Sequence, residues 1–271
     1  MQGRRGPRAL TRVAAAIAAA VLSLLSYTIA SPASAADSNV TAVGDLQANA
    51  LGCTPGDTIT IDADIVAVNE VVQVGCADLT IDLNGHATAL RQIYVPPGDQ
   101  LTIEDAAGGG SLAVAATTTL VPGIRVPSGA FLVVNSGTVT VSGGDRAAAI
   151  GGSQYEDAGS ITIHGGTVTA TCLPSRGAAI GGGEQGDGGT FYMDGGTVIA
   201  TASLRGAGIG GGNGGSAGTI TIDGGTVIAS AGQNGAGIGG YTLGGVGIIT
   251  VNGGTVTATG GQHSAGIGGS G

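Results

Sequence analysis

The chain has 271 residues, 56 of them glycine, with 3% aromatic residues and no tryptophan. It has no lysine, and its nine arginines stand against 18 acids, so the clustered cations that a nucleic-acid backbone requires are missing and that partner is excluded. Scarce aromatics also weigh against sugar binding on a flat aromatic platform, which leaves hydroxyls, arginine and metal as means.

Residues 1–35 read as a secretory signal: Arg4, Arg5, Arg8 and Arg12 form the basic end, Val13 to Leu25 the apolar segment, and Ala33-Ser34-Ala35 a small-residue cleavage site. The product is expected outside the cell, soluble or loosely held at the cell surface, with no membrane span once the signal is removed. Removal leaves five arginines against 18 acids, a net charge of −13. Such acidity keeps a glycine-rich chain soluble and invites calcium.

Residues 36–57 are expected to form an N-terminal cap or lead-in strand. Cys53 and Cys76 are 23 residues apart, about one small coil, and are expected to form a disulfide in an exported protein. Irregular coils fill residues 58–130: Leu79-Thr80-Ile81 is followed 22 residues later by Leu101-Thr102-Ile103, which recurs after 31 as Leu132-Val133-Val134.

Residues 131–271 hold five regular repeats. A Gly-Thr-Val phrase places Thr138, Thr167, Thr197, Thr226 and Thr255, and an Ile-Gly-Gly phrase places Ile150, Ile180, Ile209, Ile238 and Ile267. Both series step by 29, with one step of 30 whose extra residue falls in Cys172-Leu173-Pro174. Each repeat carries strand-like runs with alternating β-branched residues and glycine corners, and no window shows helical periodicity. Such a unit cannot bury its apolar side alone but can when stacked on copies of itself. The fold class is therefore all-β: a single-stranded parallel β-helix with three short strands per coil, with coils of 29–31 residues over residues 93–271. The chain stops in mid-coil, and an uncovered coil edge is a template for pairing, so end-to-end self-association is one expectation.

The run Leu79-Thr80-Ile81-Asp82-Leu83-Asn84-Gly85-His86 resembles the "LDLNGH" phrase found near the start of right-handed parallel β-helix proteins of the pectate-lyase-like class. The Gly-Ala-Gly-Ile-Gly-Gly and Gly-Gly-Thr-Val-Thr-Ala units are similar to the glycine-rich coils of secreted bacterial β-helix proteins, some of which bind carbohydrate. The resemblance implies the fold and its handedness; it does not choose among the lyases, hydrolases, epimerases, adhesins and binding proteins built on that fold.

A solenoid turns a sequence period into ladders along its surface. Arg146, Arg176 and Arg205 each stand four residues before the isoleucine of their coil, a row continued by Asn234 and His263. The functional reading is a ligand-binding row for the carboxylates or sulfates of an acidic polysaccharide. The alternative is corner residues paired with Asp145 or Glu184. A second ladder runs Asn135, His164, Asp194, Asp223 and Asn252, where Asn and Asp suit the turn backbone. Its adjacent Asp194 and Asp223 repel unless a cation or proton lies between them, which makes them the candidate calcium ligands. The Thr-x-Thr pairs Thr138/Thr140, Thr167/Thr169 and Thr255/Thr257 would suit ice or a crystalline polymer, but Thr197 and Thr226 pair with Ile199 and Ile228, and threonine is also a good exposed strand residue in its own right.

No catalytic residue stands out. The sequence reads as a secreted, non-catalytic β-helix that binds a polysaccharide, expected to be acidic, or serves as a cell-envelope module. The alternatives are a polysaccharide lyase or epimerase with a calcium-dependent site in the 80–130 region, and a structural or adhesive solenoid.

Overall fold

The computed structural model describes residues 38–172, 174–241 and 245–269; the expected signal segment, residues 1–35, lies outside them. No helix among the described residues is long and apolar enough to cross a membrane.

The strands pair in parallel, coil on coil. One face is a nine-stranded sheet that starts with Ser38–Val40 and Asp57–Ile61 and ends with Ile248–Val251. The other two faces share a 14-stranded sheet because the strand Ala87–Tyr94 spans both: its first half pairs with Ser111–Ala115 and its second half with Ile124–Arg125. Beyond this point the second and third faces separate. The second is built from five- and six-residue strands such as Thr138–Ser142 and Thr167–Cys172, and the third from two-residue Ile-Gly strands such as Ile150–Gly151.

The sequence ladders reappear as strand register. Thr138 pairs with Thr167, Thr167 with Thr197, Thr197 with Thr226 and Thr226 with Thr255. Leu79 pairs with Leu101, and Leu101 with Leu132, so the 22- and 31-residue steps are true coil lengths. Cys172 pairs with Ala202 but Ile180 with Ile209, which places the extra residue of that coil between Cys172 and Ile180. The parallel β-helix is therefore the observed fold.

Alternation sorts each strand into an inner and an outer side. Inner columns such as Ile163, Met193 and Ile222 on the first face, or Val139, Val168 and Val198 on the second, are fully buried. In the coil of Ile248–Val251, Thr255–Thr259 and Ile267–Gly268, at the sheet edges, the inner residues Ile249, Val256 and Ala258 are only partly covered.

One element departs from the all-β expectation. Val43–Gly52 is an α-helix of ten residues, which buries Leu46 and Ala50 against the first coils. With two inward residues, glycine at both Gly44 and Gly52, and no side-chain cap hydrogen bond, it has little helical signature in sequence. Cys53 at its C-terminus is joined to Cys76 by a disulfide, with the Cα atoms 5.6 Å apart. Cys172 is a buried free thiol; burial, against the help of neighbouring hydrogen bonds, pushes its pKa up to about 12, so it is not a nucleophile at neutral pH.

At the third face the backbones of successive coils run so close that a side chain cannot fit. Gly181 has φ of +134°, and a Cβ there would overlap the carbonyl oxygen of Gly210 in the next coil. Gly181→Ala should therefore cost at least about 3 kcal/mol. Gly44→Ala, in a helix with nothing near the new methyl, should instead stabilise by about 0.5–1 kcal/mol. Chemical unfolding of both variants checks the contrast.

Candidate functional site

The family-like phrase builds a corner. Asp82 Oδ1 accepts hydrogen bonds from the backbone N–H groups of Asn84 and Ala106, each at 2.9 Å. Asp105, one coil on, accepts from Gly85 at 2.8 Å and Gly110 at 2.7 Å. Asn84 takes up a left-handed backbone, φ 47°, and reaches back to the Ile61 carbonyl and to Asp62. His86 lies 3.5 Å from Asp64. The carboxylates of Asp82 and Asp105 thus close loops and are engaged by backbone donors.

The arginine row sits at the corner between the second and third faces. Because the third face is only two residues wide, the corner beyond it lies close by, and the two corners are joined by hydrogen bonds. The N–H of Glu184 donates to the Arg146 carbonyl at 2.8 Å, and the N–H of Asn213 donates to the Arg176 carbonyl at 2.7 Å. Glu184 is the hub: its carboxylate meets Arg176 at 3.0 Å and Arg146 at 3.5 Å, and accepts from Gln154 at 3.0 Å and Asn213 at 3.3 Å. Its side chain is 6% exposed. Burial pushes its pKa up, but hydrogen bonds from Arg176 and Asn213 and the charges of both arginines outweigh this, and the net shift is downward. Arg146 and Arg176 thus pair with Glu184, as the corner reading allows. Arg205 is exposed and has no acidic partner among the described residues. Asn234 donates its backbone N–H to the Leu204 carbonyl, and His263 is exposed.

A second ion pair lies on the third face. Arg125 holds Glu156 through two hydrogen bonds, at 3.0 and 2.8 Å, and its guanidinium lies 4.7 Å from the ring centre of Tyr94 in the coil before. This stack of Tyr94, Arg125 and Glu156 locks three coils together.

The aspartate ladder runs along the corner between the first and second faces. Tyr192, an outward residue of the first face, donates its hydroxyl to Asp223 at 3.1 Å and lies 3.5 Å from Asp194. Asn252 donates to Asp223 at 2.8 Å, and His164 Nδ1 is 2.9 Å from Asp194. The hydrogen bond to Asp223, with burial and the two negative charges, pushes the Tyr192 pKa up. The Tyr192 hydroxyl is thus within reach of both the Asp194 and the Asp223 carboxylates. The set is exposed, and among the described residues no group of three or more His, Cys, Asp and Glu side chains is arranged to hold a metal ion.

A feature that the ladders in sequence did not single out lies at the corner between the third and first faces. A shallow trough of about 440 Å³ is lined by Ser128, Phe131, Asp157, Ser160, Asp187 and Thr190 together with glycine backbone. Phe131 stands where the following coils carry Ser160 and Thr190, and is 44% exposed. Asp157 accepts from the Asp187 N–H at 2.8 Å, and Asp187 from the Ser216 N–H at 2.7 Å, each through Oδ1. The second oxygen of each has no protein donor among the described residues. Their spacing of 30 residues, one coil, was the available signal in sequence.

The Beta helix repeat family model matches residues 132–154, 161–184, 192–213, 220–245 and 249–271. These segments correspond to the regular coils, and with the strand register they define the chain as a parallel β-helix protein of the repeat type. No curated protein and no solved structure matches it.

The Glu184 hub carries a prediction with a definite sign. A carboxyl whose folded pKa is depressed adds stability above its unfolded value, about 4.3, and loses it as pH falls through the lower folded value. Glu184→Gln should lower stability near neutral pH by about 1–3 kcal/mol, since Arg176 loses its acidic partner and Arg146 keeps only Asp145, at 3.8 Å, and should flatten the acid limb of the stability profile. Thermal unfolding of both proteins from neutral pH down past that range measures both effects.

Proposed function

We propose that this β-helix is a non-catalytic binding protein for polysaccharide, working outside the cell or in the cell envelope, with the Phe131 trough as its binding surface. What supports the reading is an exposed aromatic ring beside two carboxylates that each keep one oxygen free. The ring face packs against the C–H groups of a sugar, and the free oxygens of Asp157 and Asp187 accept from its hydroxyls. One coil separates the two aspartates, about 4.8 Å in a parallel stack, so an extended glycan running along the axis meets the same acceptor in successive coils.

Charge selects an uncharged glycan over an acidic one. Arg146 and Arg176 share Glu184, the trough itself contributes two acids, and the chain beyond residue 36 carries −13 overall. An acidic polymer would meet repulsion at the trough and only Arg205 in the arginine row without an acidic partner.

Retardation in gels cast with neutral or acidic polysaccharides tests this. Retardation by a neutral polymer should weaken about fivefold to tenfold in Phe131→Ala, the loss of one aromatic contact. Arg205→Ala should leave it unchanged, and no reducing or unsaturated sugar ends should accumulate. Retention that follows Arg205 and salt would restore the acidic-ligand reading, and new sugar ends would make the protein an enzyme.

A further inference from the structure

The second face carries no charged residue from the strand Ser111–Ala115 to the strand Thr255–Thr259, in a chain with 18 acids. From Thr138–Ser142 onward its outward positions form three columns parallel to the axis. The first column is threonine in every coil. The other two are threonine or serine throughout, apart from Ile199 and Ile228. In sequence these two isoleucines break the Thr-x-Thr pattern. In register they do less: the third column, which includes Thr171, Thr201 and Thr259, stays hydroxylated past them, and Ile228 offers methyl groups to solvent at 43% exposure.

The face is also built to be flat and stiff. Under the outward columns lie two uniform inner ones: Val139, Val168, Val198 and Val227 in the first, and Ala170, Ala200 and Ala229 in the second after Val141, all buried. Like residues stacked on like give each coil the same thickness, so no strand stands proud. Threonine and isoleucine have few χ1 options, which fixes methyls and hydroxyls in place before any contact is made. The result is a lattice of about 4.8 Å between coils and about 6.6 Å between alternate residues of a strand.

Such a surface is poorly suited to most partners. It has no Arg or Lys for a polyanion, no concavity, and none of the Trp, Tyr or Arg anchors on which protein interfaces depend. It also has no aromatic ring to lie on the sugar faces of a crystalline polysaccharide. It does suit a rigid, uncharged solid whose own surface is a two-dimensional array of hydroxyl donors and acceptors. Each contact is weak, but two periodic surfaces make many together once the first is placed. Water held by the hydroxyls and ordered between the methyls then continues the solid lattice. We infer that the second face binds ice, independently of the glycan trough at the opposite corner.

The test is the gap between melting and freezing temperatures, with the shape of growing ice crystals, measured on the purified protein. A gap and faceted crystals are expected. Thr197→Lys, in the middle coil of the face, should cut the gap about tenfold, because a charge must be desolvated against the lattice. Thr169→Lys, one coil away, should do the same, with circular dichroism and melting temperature unchanged in both. Thr221→Lys, an outward change on the first face, and Phe131→Ala should leave the gap intact. Unfaceted ice with the wild type would overturn the inference, as would an equal loss in Thr221→Lys. So would retention on crystalline cellulose or chitin that Thr197→Lys abolishes while ice growth is untouched.

Discussion

Everything in this protein depends on how closely one coil lies on the next. At the third face, Gly151, Gly181, Gly210 and Gly239 all have positive φ, and a Cβ on any of them would overlap the oxygen of the glycine above. Closeness at that face keeps the coils in step, and a step shared by all three faces forces each residue to lie over its equivalent. The inner columns benefit, since valine on valine and alanine on alanine fill the core without gaps. Outer columns inherit the same rule whether or not it suits them.

Charged residues show what that rule demands. Asp194 and Asp223 are stacked one coil apart, the Tyr192 hydroxyl reaches both, and the side chains of His164 and Asn252 engage them from the coils on either side. Arg146 and Arg176 are stacked likewise, and a carboxylate from the neighbouring corner lies between them. Where no such partner is at hand, on the second face, the columns contain no charge at all.

The fold was legible because stacking is itself a sequence pattern. Pairing of Thr138 with Thr167, the 22- and 31-residue steps and the extra residue after Cys172 could all be counted from the chain. The Val43–Gly52 helix could not, because two buried residues in ten leave no period to count. The sites were less legible for a different reason. A ladder runs up one column, whereas Glu184 acts across a corner, on Arg146 and Arg176 of another column. Sequence offered Glu184 as a partner but gave no means of deciding whether the arginines faced it or solvent. The trough was hidden because Asp157 and Asp187 look like ordinary turn residues until each is seen to use only one oxygen.

Distribution of charge among the corners and faces bears on function more than any single residue. Most acids gather at the corners, where loops need acceptors for backbone N–H groups, and three of the arginines, Arg125, Arg146 and Arg176, are held by acids. A polyanion approaching along any corner therefore meets mostly negative potential. What the protein offers instead is hydroxyls, half-used carboxylates, one exposed aromatic ring at the trough, and a flat uncharged face. Under the proposed readings these groups recognise uncharged hydroxylated matter, and their one-coil repeat favours a ligand that is itself extended and periodic. A small molecule would touch one coil and gain nothing from the others. A long or crystalline ligand meets the same contact at every coil, and the constraint that stacks the coils then sets the spacing at which it is met.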